Sequence, residues 1–211
     1  MQARTRFNEA NDSHYYLVPG VIVTIMTMIG ALLTSLVMAR EYERGTLESL
    51  FVTPVGSGEI LTAKAATNFL LGMVSLAISM VFAAFVFDIP IRGSLLLLLA
   101  VSALFLIVAL GLGLVISTAT KNQFLACQFA IMGTFMPALM LSGFLYDILN
   151  MPPAVRAVTY LIPARYYVTL LQTLFLAGDI PSVIIPCCIT LGVFAVVLMS
   201  IARLKAPKSL E

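Results

Sequence analysis

Histidine, cysteine and charge are all scarce in this sequence, and each shortage closes off a class of function. His14 is the only histidine. One imidazole cannot make an HExxH zinc site, and because His14 lies in the polar leader an intramembrane Ser–His dyad has no histidine to use. The three cysteines, Cys127, Cys187 and Cys188, sit inside apolar runs. They read as small buried hydrophobes, not as disulfides or metal ligands. Charged residues make up only 10% of the chain, against about 25% in a soluble domain. The formal net charge of +2 supplies no basic face for nucleic acid. No catalytic residue, metal site or cofactor is expected.

What fills the space is apolar. Hydrophobic types account for 61% of the 211 residues, and the mean hydropathy is +1.05. A globule of this size has too much surface to hide that from water, and disorder is excluded by the same composition. The sequence is that of an integral membrane protein. A hydrocarbon core of about 30 Å needs about 20 apolar residues per helix. Five runs qualify: 17–38, 65–87, 94–116, 123–145 and 182–201, none of which holds an Asp, Glu, Lys, Arg or His. Lipid offers the backbone no partners, so these spans must be helices, and unbroken apolar runs rule out a β-barrel. The fold class expected is an all-α membrane protein with five transmembrane helices.

Asp88–Gly93 and Ser117–Asn122 read as tight polar turns. The stretch 146–181 is too apolar for a loop. Pro152-Pro153 is suited to start a helix, Pro163 to end it, and a second helical stretch, Ala164–Ala177, to stop at Gly178. At about 21 Å this second piece is too short to cross. Leu170, Leu171 and Leu174 lie on one face, with Arg165, Thr169, Gln172 and Thr173 opposite. The expectation is a re-entrant or interfacial helical hairpin on the outer side; the alternative is an amphipathic helix resting on headgroups.

The tail 202–211 carries Arg203, Lys205 and Lys208, which places it in the cytoplasm by the positive-inside rule. Five spans then put the polar leader 1–16 outside. With no secretory signal ahead of it, the leader is expected to be the end of an outer domain that follows a further upstream span, making the sequence a fragment. The membrane domain proper is 17–201.

Two features bear on function. Within the cytoplasmic segment 40–64, Leu47, Leu50 and Phe51 share one helical face, while Glu41, Arg44 and Glu48 line another. Membrane anchors favour Lys and Arg on the polar face, but Glu41, Glu43 and Glu48 here outnumber Arg40 and Arg44. Mixed charge suits docking to a protein. The second feature is an absence. Ion-driven carriers need ionisable groups in the bilayer, and the spans offer only Thr24, Thr27, Thr34, Asn68, Gln123, Gln128 and scattered serines. Such groups serve mainly to join helices. Gly111-Leu112-Gly113 is a packing notch, and no GxxxxGK[ST] phosphate loop exists. Uphill transport by this chain would draw its energy from another polypeptide, through the cytoplasmic face.

Three blocks make the sequence resemble a known family. Ala39-Arg40-Glu41-Tyr42-Glu43-Arg44-Gly45-Thr46-Leu47-Glu48-Ser49-Leu50 with Thr53-Pro54 is similar to the segment between the second and third spans of ABC-2 type transporter permeases. Leu141–Leu145, Asn150–Pro153 and Thr159–Tyr166 are similar to that family's outer segment before the last span. The resemblance is to bacterial inner-membrane permeases of the drug-efflux kind, which carry a first span and a periplasmic domain upstream. It implies a coupling helix within 41–53 that seats in an ATP-binding cassette ATPase subunit. Leu47, Leu50 and Phe51 would be its buried anchors, and Glu41, Glu43, Arg44, Thr46 and Glu48 its polar surroundings. It also implies an outer gate near Met140, Phe144 and Tyr146, a dimer with a second copy or a paralogue, and a membrane-fusion protein as a further partner. The activity implied is export of an amphipathic, drug-like or lipid-like cargo, with ATP hydrolysis in the separate subunit. The other reading is a scaffold that recruits a cytosolic partner through the 41–53 helix and moves nothing.

Overall fold

The computed structural model describes residues 14–45, 57–87, 89, 92–146 and 148–205. Among them there is helix and turn but no strand, and five helices are long and apolar enough to cross a membrane. The first is a continuous rod made of α1 (His14–Thr27), a π-helical turn (Met28–Leu33) and α2 (Thr34–Glu43). Next come α3 (Ser57–Phe85) and α4 (Leu95–Thr120). The fourth rod joins α5 (Gln123–Ala130), a π turn (Ile131–Phe135) and α6 (Met136–Leu141). After a 3-10 turn (Ile148–Asn150) come α7 (Pro153–Thr159) and α8 (Pro163–Gln172), the latter extended by a π turn (Thr173–Ala177). The last is α9 (Pro181–Lys205).

α4 is the axis of the bundle. It packs against α2 and the adjoining π turn, α3, α5, α8 and α9. Half of its apolar window is buried, against 17% for α9. The close approach of α4 to the first rod depends on glycine. A Cβ on Gly113 would stand 2.7 Å from the Ala31 carbonyl oxygen, and one on Gly30 would stand 2.4 Å from Ala109 Cβ. With no hydrophobic drive between helices in lipid, such small-residue contacts supply the dispersion that holds them together.

The polar groups of the spans behave as joints. Asn68 Nδ2 donates to Thr34 Oγ1 at 3.1 Å across α3 and α2. Thr24 and Thr27 return their hydroxyl protons to Gly20 and Val23 carbonyls in their own helix. The same habit moves a boundary. Ser117–Asn122 was expected to be a turn, yet α4 continues to Thr120. The hydroxyls of Ser117, Thr118 and Thr120 donate to the carbonyls of Leu114, Val115 and Ile116 at 2.8, 3.0 and 3.0 Å, so they need no water. Only Lys121 and Asn122 make the turn, Lys121 in the left-handed region at φ 48°.

Two further boundaries differ. The fourth span ends at Leu141, not at 145, because Gly143 takes φ 88° and turns the chain. Its π turn ends one residue short of Pro137, whose ring lacks an N–H and would clash with the Gly133 carbonyl in a regular helix; the widened turn makes room. Of the face expected across Glu41, Arg44 and Glu48, Glu48 lies outside the described residues. α2 ends at Glu43, and Gly45 has φ 65°, so Glu41 and Glu43 belong to the end of the first rod and not to a separate amphipathic helix. Pro153 opens α7 and Gly178 at φ 89° ends the second piece, as expected; Pro163, expected to end the first helix, opens α8 instead, α7 having stopped at Thr159.

Candidate functional site

Of the residues expected to couple to an ATPase, Glu41, Glu43 and Arg44 are described; Thr46, Leu47, Glu48, Leu50 and Phe51 lie outside the described residues. Glu41 forms an ion pair with Lys64, near the start of the apolar part of α3. Glu43 Oε2 accepts from the backbone N–H of Gln123 at 3.1 Å, at the first residue of α5. Asn122 Oδ1 accepts from Leu125 N at 3.1 Å and completes that cap. A carboxylate at a helix start meets both free amides and the positive end of the helix dipole. The two glutamates therefore tie the end of α2 to α3 at Lys64 and to the start of α5, and the 46–56 segment lies outside the described residues. Arg44 is exposed just beyond them. The partners Lys64 and Gln123 were not foreseen; a lone lysine at the border of the second span was the available signal.

The expected outer-gate residues divide. Met140 and Tyr146 are exposed and line an open apolar groove of about 560 Å³ with Leu145, Met151 and Val155. Phe144 is turned away. It is buried against α1, where a Cβ on Gly20 would stand 1.8 Å from the ring. Its role in the fold is to pin the chain after α6 to the first rod.

One face of the second hairpin helix is deeply buried. Leu170, Leu171 and Leu174 are fully buried, as their shared face predicted, and so is Tyr167. Tyr167 stacks on Phe105 of α4 at 4.1 Å between ring centroids and donates to Ser102 Oγ at 2.8 Å. Tyr166 meets Phe194 of α9. These contacts fall well inside α4 and α9, so α8 packs within the bundle and not across its end. At its other end α8 is tied to the α3–α4 turn. Gly93 N donates to Leu174 O at 2.8 Å, Arg92 Nη1 to Leu176 O at 3.2 Å, and Ser94 N to Asp179 Oδ1 at 3.0 Å. A small, partly open cavity of about 90 Å³ lies beside the α7–α8 turn, lined by Thr27, Phe105, Gly133, Thr134, Ile162 and Pro163.

Among the described residues no group of three or more His, Cys, Asp or Glu stands ready for a metal. Comparison with known proteins agrees with the three sequence blocks. Residues 3–176 match the model of the ABC-2 type transporter family. The chain is 47% identical over its whole length to the Probable multidrug ABC transporter permease YbhS of Escherichia coli (strain K12), covering 56% of that protein. It is 31% identical over 82% of its length to the Probable multidrug ABC transporter permease YbhR of the same organism, covering 47% of it. It is 28% identical over its whole length to the Inner membrane transport permease YhhJ of that organism, again covering 56%. The chain thus spans about half the length of the curated relatives it matches.

Proposed function

The chain belongs to the ABC-2 type transporter family, and from that premise we propose that it is the membrane-spanning permease part of an ATP-driven exporter for amphipathic, drug-like or lipid-like cargo. Two of the relatives are named as multidrug permeases, which supports this cargo class. In this reading ATP is hydrolysed by a separate ATP-binding cassette subunit seated against the 41–53 segment. The permease pairs with a second copy or a paralogue, and a membrane-fusion protein extends the outer side. It lies in the bacterial inner membrane with the 202–211 tail in the cytoplasm.

The observation that carries the reading is the junction at Glu41 and Glu43. A force applied to the 46–56 segment reaches α2 directly and α5 through the Glu43–Gln123 bond. From α5 the fourth rod leads to Met140 at the edge of the apolar groove. The spans carry no motor, so a push at this end is the means of opening the other.

Leu50→Asp and Arg44→Glu are expected to weaken association with the purified ATPase while leaving membrane insertion intact. Equal binding by both variants would overturn the coupling assignment. Flux of small inorganic ions alone, in vesicles holding the assembled exporter, would overturn the cargo class.

A further inference from the structure

The five apolar runs are free of charge, but the hairpin between the last two carries one in among them. Arg165 sits in the first turn of α8, and the far end of that helix is fixed to the α3–α4 turn through Leu174 and Leu176. From Leu176 back to Arg165 is about 16 Å at ~1.5 Å per residue. Its neighbours Tyr166 and Tyr167 reach Phe194 and Phe105, well along α9 and α4. In a hydrocarbon core of about 30 Å, that depth is near the middle.

An arginine there needs partners for five N–H donors. Nη1 donates to the buried Thr159 Oγ1, and the guanidinium lies over the Tyr160 ring at 4.0 Å. Among the described residues no carboxylate forms an ion pair with it, and no other side chain or carbonyl accepts from it. Thr159 Oγ1 is in turn fixed by its own bond to Arg156 O at 2.8 Å, and Tyr160 O by the Tyr166 hydroxyl at 3.0 Å. The cation is thus held rigidly from one side by a threonine and an aromatic face, with most of its donors unmet among the described residues. Val158, Tyr160 and Leu161 beside it are exposed and apolar in their bodies. A planar fork with open donors, set among exposed apolar side chains, matches a carboxylate or phosphate that arrives on a hydrocarbon body.

We propose that Arg165 is the binding point for the anionic group of an amphipathic ligand, with Tyr160 and Thr159 as the residues that position it. The inference rests on the exporter reading and narrows it to anionic cargo. The same chemistry is offered by an acidic lipid headgroup and by a free amphipathic acid.

The test uses the assembled exporter in phosphatidylcholine vesicles, photolabelled with a diazirine-bearing long-chain fatty acid and with the matching fatty alcohol. Mass spectrometry then maps the labels. The acid is expected to label 158–166 about ten-fold more than the alcohol. Arg165→Gln should abolish that preference, and Arg165→Lys should keep part of it. Vesicles containing phosphatidylglycerol separate the two sources. Loss of acid labelling there supports a lipid headgroup at Arg165, and persistence supports a free amphipath. Equal labelling by acid and alcohol in the unaltered protein, a comparison that needs no variant, would overturn the proposal. So would a preference that survives Arg165→Gln, since Arg165 would then merely staple the turn. Co-purification of the ATPase is measured on the same samples. Its loss with acid preference intact removes the exporter reading alone, and the reverse removes the anion site alone.

Discussion

At one end of the bundle the helices are joined by side chains, Glu41 to Lys64 and Glu43 to the first amide of α5. At the other end the α3–α4 turn meets α8 mainly through backbone oxygens, Gly93 N to Leu174 O and Arg92 to Leu176 O, with Asp179 alone contributing a side-chain acceptor. The two kinds of joint respond differently to a partner. An amide–carbonyl bond moves only when the chain moves. A glutamate can exchange its acceptor for another by rotating about its own bonds. The end built from glutamates borders the 46–56 segment, and the end built from backbone holds the hairpin.

The largest effect is expected where that backbone stitch is forced apart. In Gly93→Val, the new Cβ would meet Leu174 O at 2.9 Å and Asp179 Oδ1 at 3.0 Å. Because the first of these is backbone, the turn must shift, at about 2–3 kcal/mol. Thermal unfolding in detergent checks this, and an unchanged Tm would mean the stitch contributes nothing. At the opposite end, Glu43→Ala removes the carboxylate at the start of α5, a loss of about 1 kcal/mol, whereas Glu43→Gln keeps an acceptor and should cost less. If ATP-coupled transport falls much further than stability in Glu43→Ala, this end acts as a linkage; parallel losses would make it a plain fastening. Reversing Glu41→Lys or Lys64→Glu alone should cost about 0.5 kcal/mol, and the double exchange should recover most of it in a double-mutant cycle. The smallest change has the opposite sign. Lys121→Gly relieves a left-handed residue at φ 48° and should stabilise by about 0.5 kcal/mol in the same melt.

Most of the fold was legible in the sequence because lipid leaves few options. Long uncharged runs must be helices, and prolines and glycines mark their limits, as Pro153, Pro163 and Gly178 do here. The boundaries that slipped did so where side chains settled backbone groups locally. Ser117, Thr118 and Thr120 extended α4 by bonding back into it, and Gly143 ended the fourth span short of 145. The candidate site was legible in part. The glutamates drew attention by their charge, but their partners Lys64 and Gln123 are distant in the chain and only the packing of α2, α3 and α5 brings them near. Phe144 looked equivalent to Met140 and Tyr146 until Gly20 proved to be its seat. Arg165 went unremarked as an interior charge because it belongs to no span.

The burial of α8 also constrains the order of assembly. Its chamber has walls from α1, α4 and α9, and α9 follows the hairpin in the chain. Two of those walls stand before the hairpin is made, but the Tyr166–Phe194 contact cannot form until α9 has entered the bilayer. A break within α9 should therefore leave the first four rods inserted and the Tyr166 ring open to chemical labelling, an immature product recognisable by that ring.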